Sequence, residues 1–175
     1  TNNLVITNNT INNNRNYGIN LGSCNNQTIT NNDIRNNYQH GIYFSSINSA
    51  GATSTSRIHT NFFINNGHSS SSYYGISTTS AYRLYIYNNY FQNSGSRNIY
   101  VANNNNTHYF NIALNCSIGD ERNIVFGSCY GGNYWNNYNG VDADANGIGD
   151  TVYGVTSGQY IRDSLPLMRS YIIDS

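Results

Sequence analysis

The sequence predicts an all-β solenoid: short strands wound into about five coils over residues 1–130, followed by a capping segment over residues 131–175. Three observations carry this. The string Ile6-Thr7-Asn8-Asn9-Thr10-Ile11 returns as Ile29 to Ile34, as Ile58 to Asn61 with Phe63, and as Ile86 to Asn89 with Phe91, giving a shared I-x-x-N-x-[I/F] pattern. A second mark trails the copies: Gly18-Ile19, Gly41-Ile42 and Gly75-Ile76, then Asn98-Ile99 and Asn123-Ile124. Copies recur about every 23 to 29 residues, a period at which each unit is too small to bury an apolar face and must stack on its neighbours. Apolar residues are isolated by polar neighbours at period two, as in Arg83-Leu84-Tyr85-Ile86-Tyr87, which is the pattern of strands rather than of an amphipathic helix.

The coils are read in order from this motif. Stacking lines up Ile6, Ile29, Ile58, Ile86 and Ile112 inside. The same stacking sets Asn9, Asn32, Asn61, Asn89 and Asn115 one above another at the ordinary strand separation of about 4.8 Å, where each amide can donate to the next. Buried amides need partners, so this ladder is expected to be structural, with Asn12 outside it. Asn makes up about one residue in five, and with Gly and Ser it fills the turns between strands. Tyr43, Tyr85, Tyr87 and Tyr100 fall at alternating positions and are expected on outer faces, where Tyr covers a polar surface or stacks on sugar rings.

Composition excludes several classes. Charged residues are 9% of the chain and the 8 basic and 8 acidic side chains cancel, leaving no basic stripe for nucleic acid. No run is long enough to span a membrane. The 3 Cys cannot all pair within one chain. Cys24 and Cys129 close matching Gly-Ser-Cys strings in the first and last coils, Cys116 lies about half a coil away, and all three read as small buried hydrophobes. His40, His59, His68 and His108 fall at unrelated phases and are expected at the surface.

At Gly131 the pattern changes. Asp142-Ala143-Asp144-Ala145-Asn146-Gly147-Ile148-Gly149-Asp150 has the spacing of a calcium loop, with Asp142, Asp144, Asn146 and Asp150 as oxygen ligands, the Ile148 carbonyl as another and Gly147 at the sharp turn. Three carboxylates within nine residues repel one another without a cation. Tyr153 stands where such a loop wants its closing carboxylate, so Asp163 is expected to close the site. The expected cofactor is Ca²⁺.

The segment from Gly131 to Asp150, G-G-N-Y-W-N-N-Y-N-G-V-D-A-D-A-N-G-I-G-D, with Tyr153 and then Asp163-Ser164-Leu165-Pro166-Leu167-Met168, resembles the C-terminal end of archaeal surface β-helix proteins. These are grouped with the periplasmic copper-binding β-helix proteins of nitrous oxide reductase maturation and with carbohydrate-binding and sugar-hydrolase β-helix domains. The resemblance implies a right-handed parallel β-helix, secretion and a cell-surface location. Asn136-Asn137, Thr151-Val152-Tyr153 and Ser164-Leu165 depart from the usual pattern of that end.

Catalysis is not written into the coils. Hydrolysis needs paired carboxylates, and elimination a base on one face. Asp33, beside Arg35, has Thr10, Phe62 and Tyr90 at the equivalent positions; Asp120, Glu121 and Asp174 are the remaining acids outside the calcium loop and Asp163. Copper sites gather Met, Cys and His, and the chain has one Met, Met168. The residues favour an extracellular structural module, a surface-layer, adhesive or filament component, that associates head to tail or meets surface glycans; a carbohydrate-binding or polysaccharide-cleaving module is the alternative. Asn8, Asn26 and Asn105 open N-x-[S/T] sequons expected on outer surfaces.

Overall fold

The computed structural model describes residues 3–48, 53–94, 97–101, 108–109, 123–125, 131–155 and 162–168. Among them each coil contributes three strands. The first holds β1 (Val5–Thr7), β2 (Thr10–Asn12) and β3 (Ile19–Cys24), and the second β4 (Thr28–Thr30), β5 (Asp33–Arg35) and β6 (Ile42–Ile47). The third holds β7 (Ser56–His59), β8 (Phe62–Ile64) and β9 (Tyr74–Thr78), and the fourth β10 (Leu84–Tyr87), β11 (Tyr90–Gln92) and β12 (Arg97–Val101). Then come β13 (His108–Tyr109), β14 (Tyr134–Trp135), and the antiparallel pair β15 (Tyr153–Gly154) and β16 (Arg162–Asp163).

Equivalent strands stack into three parallel sheets, ordered β1-β4-β7-β10-β13, β2-β5-β8-β11-β14 and β3-β6-β9-β12. Register follows the motif: Ile6 faces Ile29, Ile29 faces Ile58, and Ile58 faces Ile86. In the second sheet the column runs Ile11, Ile34, Phe63, Phe91, Trp135, and in the third Ile19, Ile42, Ile76, Ile99. Burial is nearly complete from the second coil onward, with Ile29, Ile34, Ile42, Phe63, Ile76, Phe91 and Ile99 at 0% exposure, and each such side chain contributes roughly 1.5–3 kcal/mol. The stacked rings Phe63, Phe91, Trp135 and Tyr153 have centroids 4.8, 4.8 and 4.7 Å apart, so the column of rings carries the core past the last coil into the C-terminal segment. Ile112 lies outside the described residues.

The corners explain the abundance of Asn. Asn8, Asn31, Thr60 and Asn88 hold φ of 50 to 58° at the corner before the second sheet, and Asn13, Asn36, Asn65 and Asn93 hold 50 to 54° at the corner after it. A third corner stacks Asn3, Asn26, Asn48 and Arg83 at 46 to 58°. Asn is among the few non-glycine residues that enter this left-handed region readily. Entry to the third sheet is tighter still: a Cβ on Gly18 would sit 2.6 Å from the Gly41 carbonyl oxygen, and one on Gly41 2.6 Å from that of Gly75. The Gly-Ile mark is therefore a demand for close stacking.

The wall of the coil continues beyond residue 130, because Tyr134 and Trp135 stand in register on Tyr90 and Phe91. Residues 163–168 add one further layer: Leu167 N–H donates to the Asn133 carbonyl (2.9 Å) and Gly132 N–H to that of Leu165 (2.7 Å).

Candidate functional site

Among the described residues, the buried Asn32, Asn37, Asn61, Asn66, Asn89 and Asn133 belong to two columns of amides. In the first, the backbone N–H and the Nδ2 of Asn9 both donate to Asn32 Oδ1 at 3.0 Å, Asn32 donates in the same way to Asn61 (3.0 Å), and Asn61 to Asn89 (3.0 Å). The next rung is Asn133, reached from Asn89 at 3.1 and 2.9 Å. Asn115 lies outside the described residues; the asparagine to which Asn89 donates comes from the Gly131-Gly132-Asn133 string, 44 residues on. The sequence signal was present, since Asn133-Tyr134-Trp135 repeats Asn89-Tyr90-Phe91.

A second column was not foreseen. Asn14 Nδ2 donates to Asn37 Oδ1 and Asn37 Nδ2 to Asn66 Oδ1, both at 2.8 Å, and Asn66 Nδ2 to the Ile34 carbonyl at 2.7 Å. Asn37 and Asn66 are at 0% exposure. Their spacing equals that of the first ladder, and this shared period was the missed signal.

The acid-rich loop takes a shape other than a cation cage. Asp142 accepts from the backbone N–H of Asn146 (3.0 Å) and Gly147 (2.8 Å), Asp144 from Asn146 Nδ2 (2.9 Å), Asn146 Oδ1 from Ile148 N–H (2.8 Å) and Asp150 from Ala143 N–H (2.7 Å). Each carboxylate is thus compensated by an N–H donor of its own turn, with Gly147 at φ 86°. Asp163 is elsewhere, at 0% exposure. Its Oδ2 accepts from the Asn133 backbone N–H (2.6 Å) and Trp135 Nε1 (2.8 Å), and its Oδ1 from Leu165 N–H (3.1 Å). Burial raises its pKa from 3.8 to about 6 against these donors. Among the described residues no group of three or more His, Cys, Asp or Glu is placed to hold a metal ion.

The other candidates are dispersed. His40 is buried, contrary to expectation, because Tyr17, Tyr43 and Tyr74 stack around it with centroids 5.5, 5.6 and 5.6 Å away. Its Nδ1 accepts the Tyr74 N–H at 3.0 Å, and burial lowers its pKa from 6.5 to about 4. His59 stacks on Tyr87 at 4.9 Å, which leaves Tyr87 9% exposed rather than on an open face; burial, then the nearby Arg57 charge, lowers the His59 pKa. Tyr43, Tyr85 and Tyr100 are half-buried. Cys24 is a buried free thiol; Cys116 and Cys129 lie outside the described residues. Of the sequons, Asn8 and Asn26 are exposed left-handed corners, and Asn105 lies outside the described residues. Asp33 pairs with Arg35 and faces Thr10 and Phe62 in the adjoining coils.

An open groove of about 580 Å³ runs across three coils at the corner after the second sheet. Asn13, Asn36 and Asn65 line it with Arg15, Tyr38 and His68.

No curated protein and no solved structure matches the chain. The family model that matches, over residues 1–140, is described as periplasmic copper-binding protein (NosD). The expectation of calcium is overturned: the matched family is named for another metal, no group of three or more His, Cys, Asp or Glu among the described residues is placed to hold a metal ion, and Asp163 is turned into the core. Among the described residues the donor set does not fit copper either. Copper favours thioether, thiolate and imidazole ligands gathered at one point, whereas His40 Nδ1 is taken by the Tyr74 N–H, Cys24 is held near the Ser46 carbonyl (3.8 Å), and His59 and His68 belong to no group of three or more His, Cys, Asp or Glu placed to hold a metal ion. By its parallel stacked coils and by a match spanning most of its length, the chain belongs to the periplasmic copper-binding protein (NosD) family, a family of right-handed parallel β-helices.

Proposed function

We propose that this chain is a non-catalytic structural module of the extracellular or envelope space, working as a surface-layer, adhesive or filament component. The observation that carries the reading is the coil-to-coil commitment of its polar groups. Two asparagine columns are hydrogen-bonded from rung to rung, and Asp33 on the outer face of the second sheet is neutralised by Arg35 within its own strand. A rigid column with its amides mutually satisfied suits a spacer or scaffold, whose length grows coil by coil. The periplasmic title of the family supports a place outside the cytoplasm, and among the described residues no helix is long and apolar enough to cross a membrane. Repeated modules of this kind fit assemblies built head to tail. Fractionation of native cells followed by electron microscopy of the envelope tests the proposal. Recovery of the protein in an ordered envelope assembly is the expected result. Recovery as a soluble cytoplasmic monomer, or release of new reducing ends from polysaccharide incubated with the purified protein, would overturn it.

A further inference from the structure

We propose that three stacked tyrosine pairs, Tyr17–Tyr43, Tyr74–Tyr100 and Tyr90–Tyr134, are sites of oxidative carbon–carbon coupling that staple neighbouring coils as dityrosine. The first two pairs share one geometry. Tyr17 and Tyr74 stand directly before the glycine of a Gly-Ile mark (Gly18-Ile19 and Gly75-Ile76), and Tyr43 and Tyr100 directly after the equivalent isoleucine one coil on (Ile42 and Ile99). Both pairs are therefore 26 residues apart. Their ring centroids lie 5.0 and 4.9 Å apart, with planes 18 and 12° from parallel. Register does not impose this contact, because Tyr43 is aligned with Asn20 and Tyr100 with Ser77; the rings reach diagonally across the coil boundary to meet. Between the second and third coils the same two places hold His40 and Ser77, and no such pair forms there. The third pair stacks in direct register, 4.5 Å apart and 9° from parallel. All six rings are half-buried, which leaves part of each open to an oxidant.

The coupling needs this arrangement. Hydrogen peroxide, acting through a haem peroxidase, takes one electron from each of two phenols, and each phenol gives up its hydroxyl proton. The two tyrosyl radicals join ring carbon to ring carbon, ortho to the oxygens; the hydrogens on those carbons then move to the oxygens and both rings become aromatic again. Two phenols and one peroxide thereby give one dityrosine and two waters. The new bond forms perpendicular to both ring planes, since each joined carbon is tetrahedral until it loses its hydrogen. Stacked rings offer that approach, whereas Tyr138 and Tyr153, with planes 87° apart, do not. Such a link would stiffen the column. A coil in a one-dimensional stack is held only by its neighbours, and among the described residues no disulfide ties coils together, Cys24 being a buried free thiol. A bond between residues 26 apart removes chain entropy from the unfolded state as a disulfide does. Ring geometry alone carries this, so it stands whether or not the chain is a scaffold.

Oxidation of the purified chain at low concentration with hydrogen peroxide and a haem peroxidase, followed by cleavage at arginine and mass spectrometry of linked peptides, tests the coupling. The six tyrosines fall on six different arginine-terminated peptides, so each staple joins two peptides with the loss of two hydrogen atoms. Links 17–43, 74–100 and 90–134 are expected in the monomer, together with a higher melting temperature than before oxidation. Tyr17→Phe and Tyr43→Phe, each shown to be folded by its own melting curve, are expected to lose the first link and keep the other two. Tyr38, the more exposed ring at 51%, is expected to join none. The same linked peptides are expected in protein isolated from its native cells. Absence of the links from the native protein would overturn the proposal, as would their absence from the oxidised monomer. Coupling of Tyr38, or of Tyr138 to Tyr153, at equal yield would also overturn it, and so would the same pattern of links after oxidation in urea.

Discussion

Replacing Asn61 with alanine removes the middle rung of the first ladder, and its cost can be worked out bond by bond. Asn61 is at 0% exposure. Its Oδ1 accepts from Asn32 N–H and Nδ2, both at 3.0 Å, and its Nδ2 donates to the carbonyls of Ile29 (2.9 Å) and His59 (2.8 Å) and to Asn89 Oδ1 (3.0 Å). Not all of these losses are equal. Asn32 Nδ2 keeps the Ile6 and Thr30 carbonyls, and Asn89 Oδ1 keeps the Asn61 backbone N–H. The Asn32 backbone N–H, by contrast, loses its acceptor in a dry place, which costs about 1–3 kcal/mol, and two carbonyls each lose a donor at about 0.5–1.5 kcal/mol. The expected loss is about 3 kcal/mol, or roughly 6–12 °C in melting temperature for a chain of this size. Asn61→Asp should cost more, because a carboxylate would face three acceptors with no proton to give. Asn12→Ala, at an exposed position whose side chain accepts one long hydrogen bond from Asn13 Nδ2 (3.4 Å), should stay within about 0.5 kcal/mol. Urea unfolding followed by the fluorescence of Trp135, the single tryptophan and buried in the ring column, reports the difference. Equal losses at Asn61 and Asn12 would refute the assignment, as would an Asn61→Leu protein at parental stability.

Three further outcomes follow from the same geometry. Because the folded pKa of Asp163 is about 6 against 3.8 ordinarily, the folded state holds the extra proton between those values. The contribution of this group to stability therefore rises by about 3 kcal/mol as pH falls through that window, and Asp163→Asn should flatten that part of a urea-midpoint series. His40 has the opposite sign: with a folded pKa of about 4 against 6.5, its contribution is present above 6.5 and lost as pH falls toward 4, and nitrogen NMR at pH 5.5 should show a neutral ring protonated on Nε2. Gly132→Ala would drive a Cβ into the Asp163 carboxylate, so a red-shifted Trp135 emission with the strand signal retained is expected, whereas Gly22→Ala, with open space around it, should leave both unchanged.

What the sequence reveals depends on whether a residue's role repeats. Ile29, Ile58 and Ile86 each sit in a copy of the same string, so one reading of the motif places them in register. Asn37 and Asn66 repeat as well, each three residues after an apolar position of the second sheet (Ile34 and Phe63), but they stand among the other asparagines of the turns and their column is hidden by that composition. His40 was unreadable because its burial depends on Tyr17, Tyr43 and Tyr74 arriving from three different coils. The 142–150 loop was misread for another reason. Asp, Asn and Gly at alternate positions suit both a cation and a chain of side-chain-to-backbone turns, and spacing alone does not separate the two.

Asp163 shows why a carboxylate belongs at the end of this fold without a metal. An amide ladder has a direction: every rung accepts on Oδ1 from the coil before and donates Nδ2 and N–H to the coil after, from Asn9 through Asn133. Extending it with another Asn only moves the problem, since each new amide brings donors that need an acceptor one layer further on. The column can close only on a group that accepts and need not donate, and an ionised carboxylate is the side chain with that property. Asp163 takes the last donors, those of Asn133, together with Trp135 Nε1 at the foot of the ring column. It thereby joins the hydrogen-bonded and the apolar stacks at one residue. Gly132 leaves the room this requires, which ties the Gly-Gly-Asn-Tyr-Trp string to an aspartate 30 residues later. The raised pKa is the cost of that position: burying a charge is unfavourable, and the donors of the terminated ladder, Trp135 Nε1 and the Leu165 N–H offset it only in part.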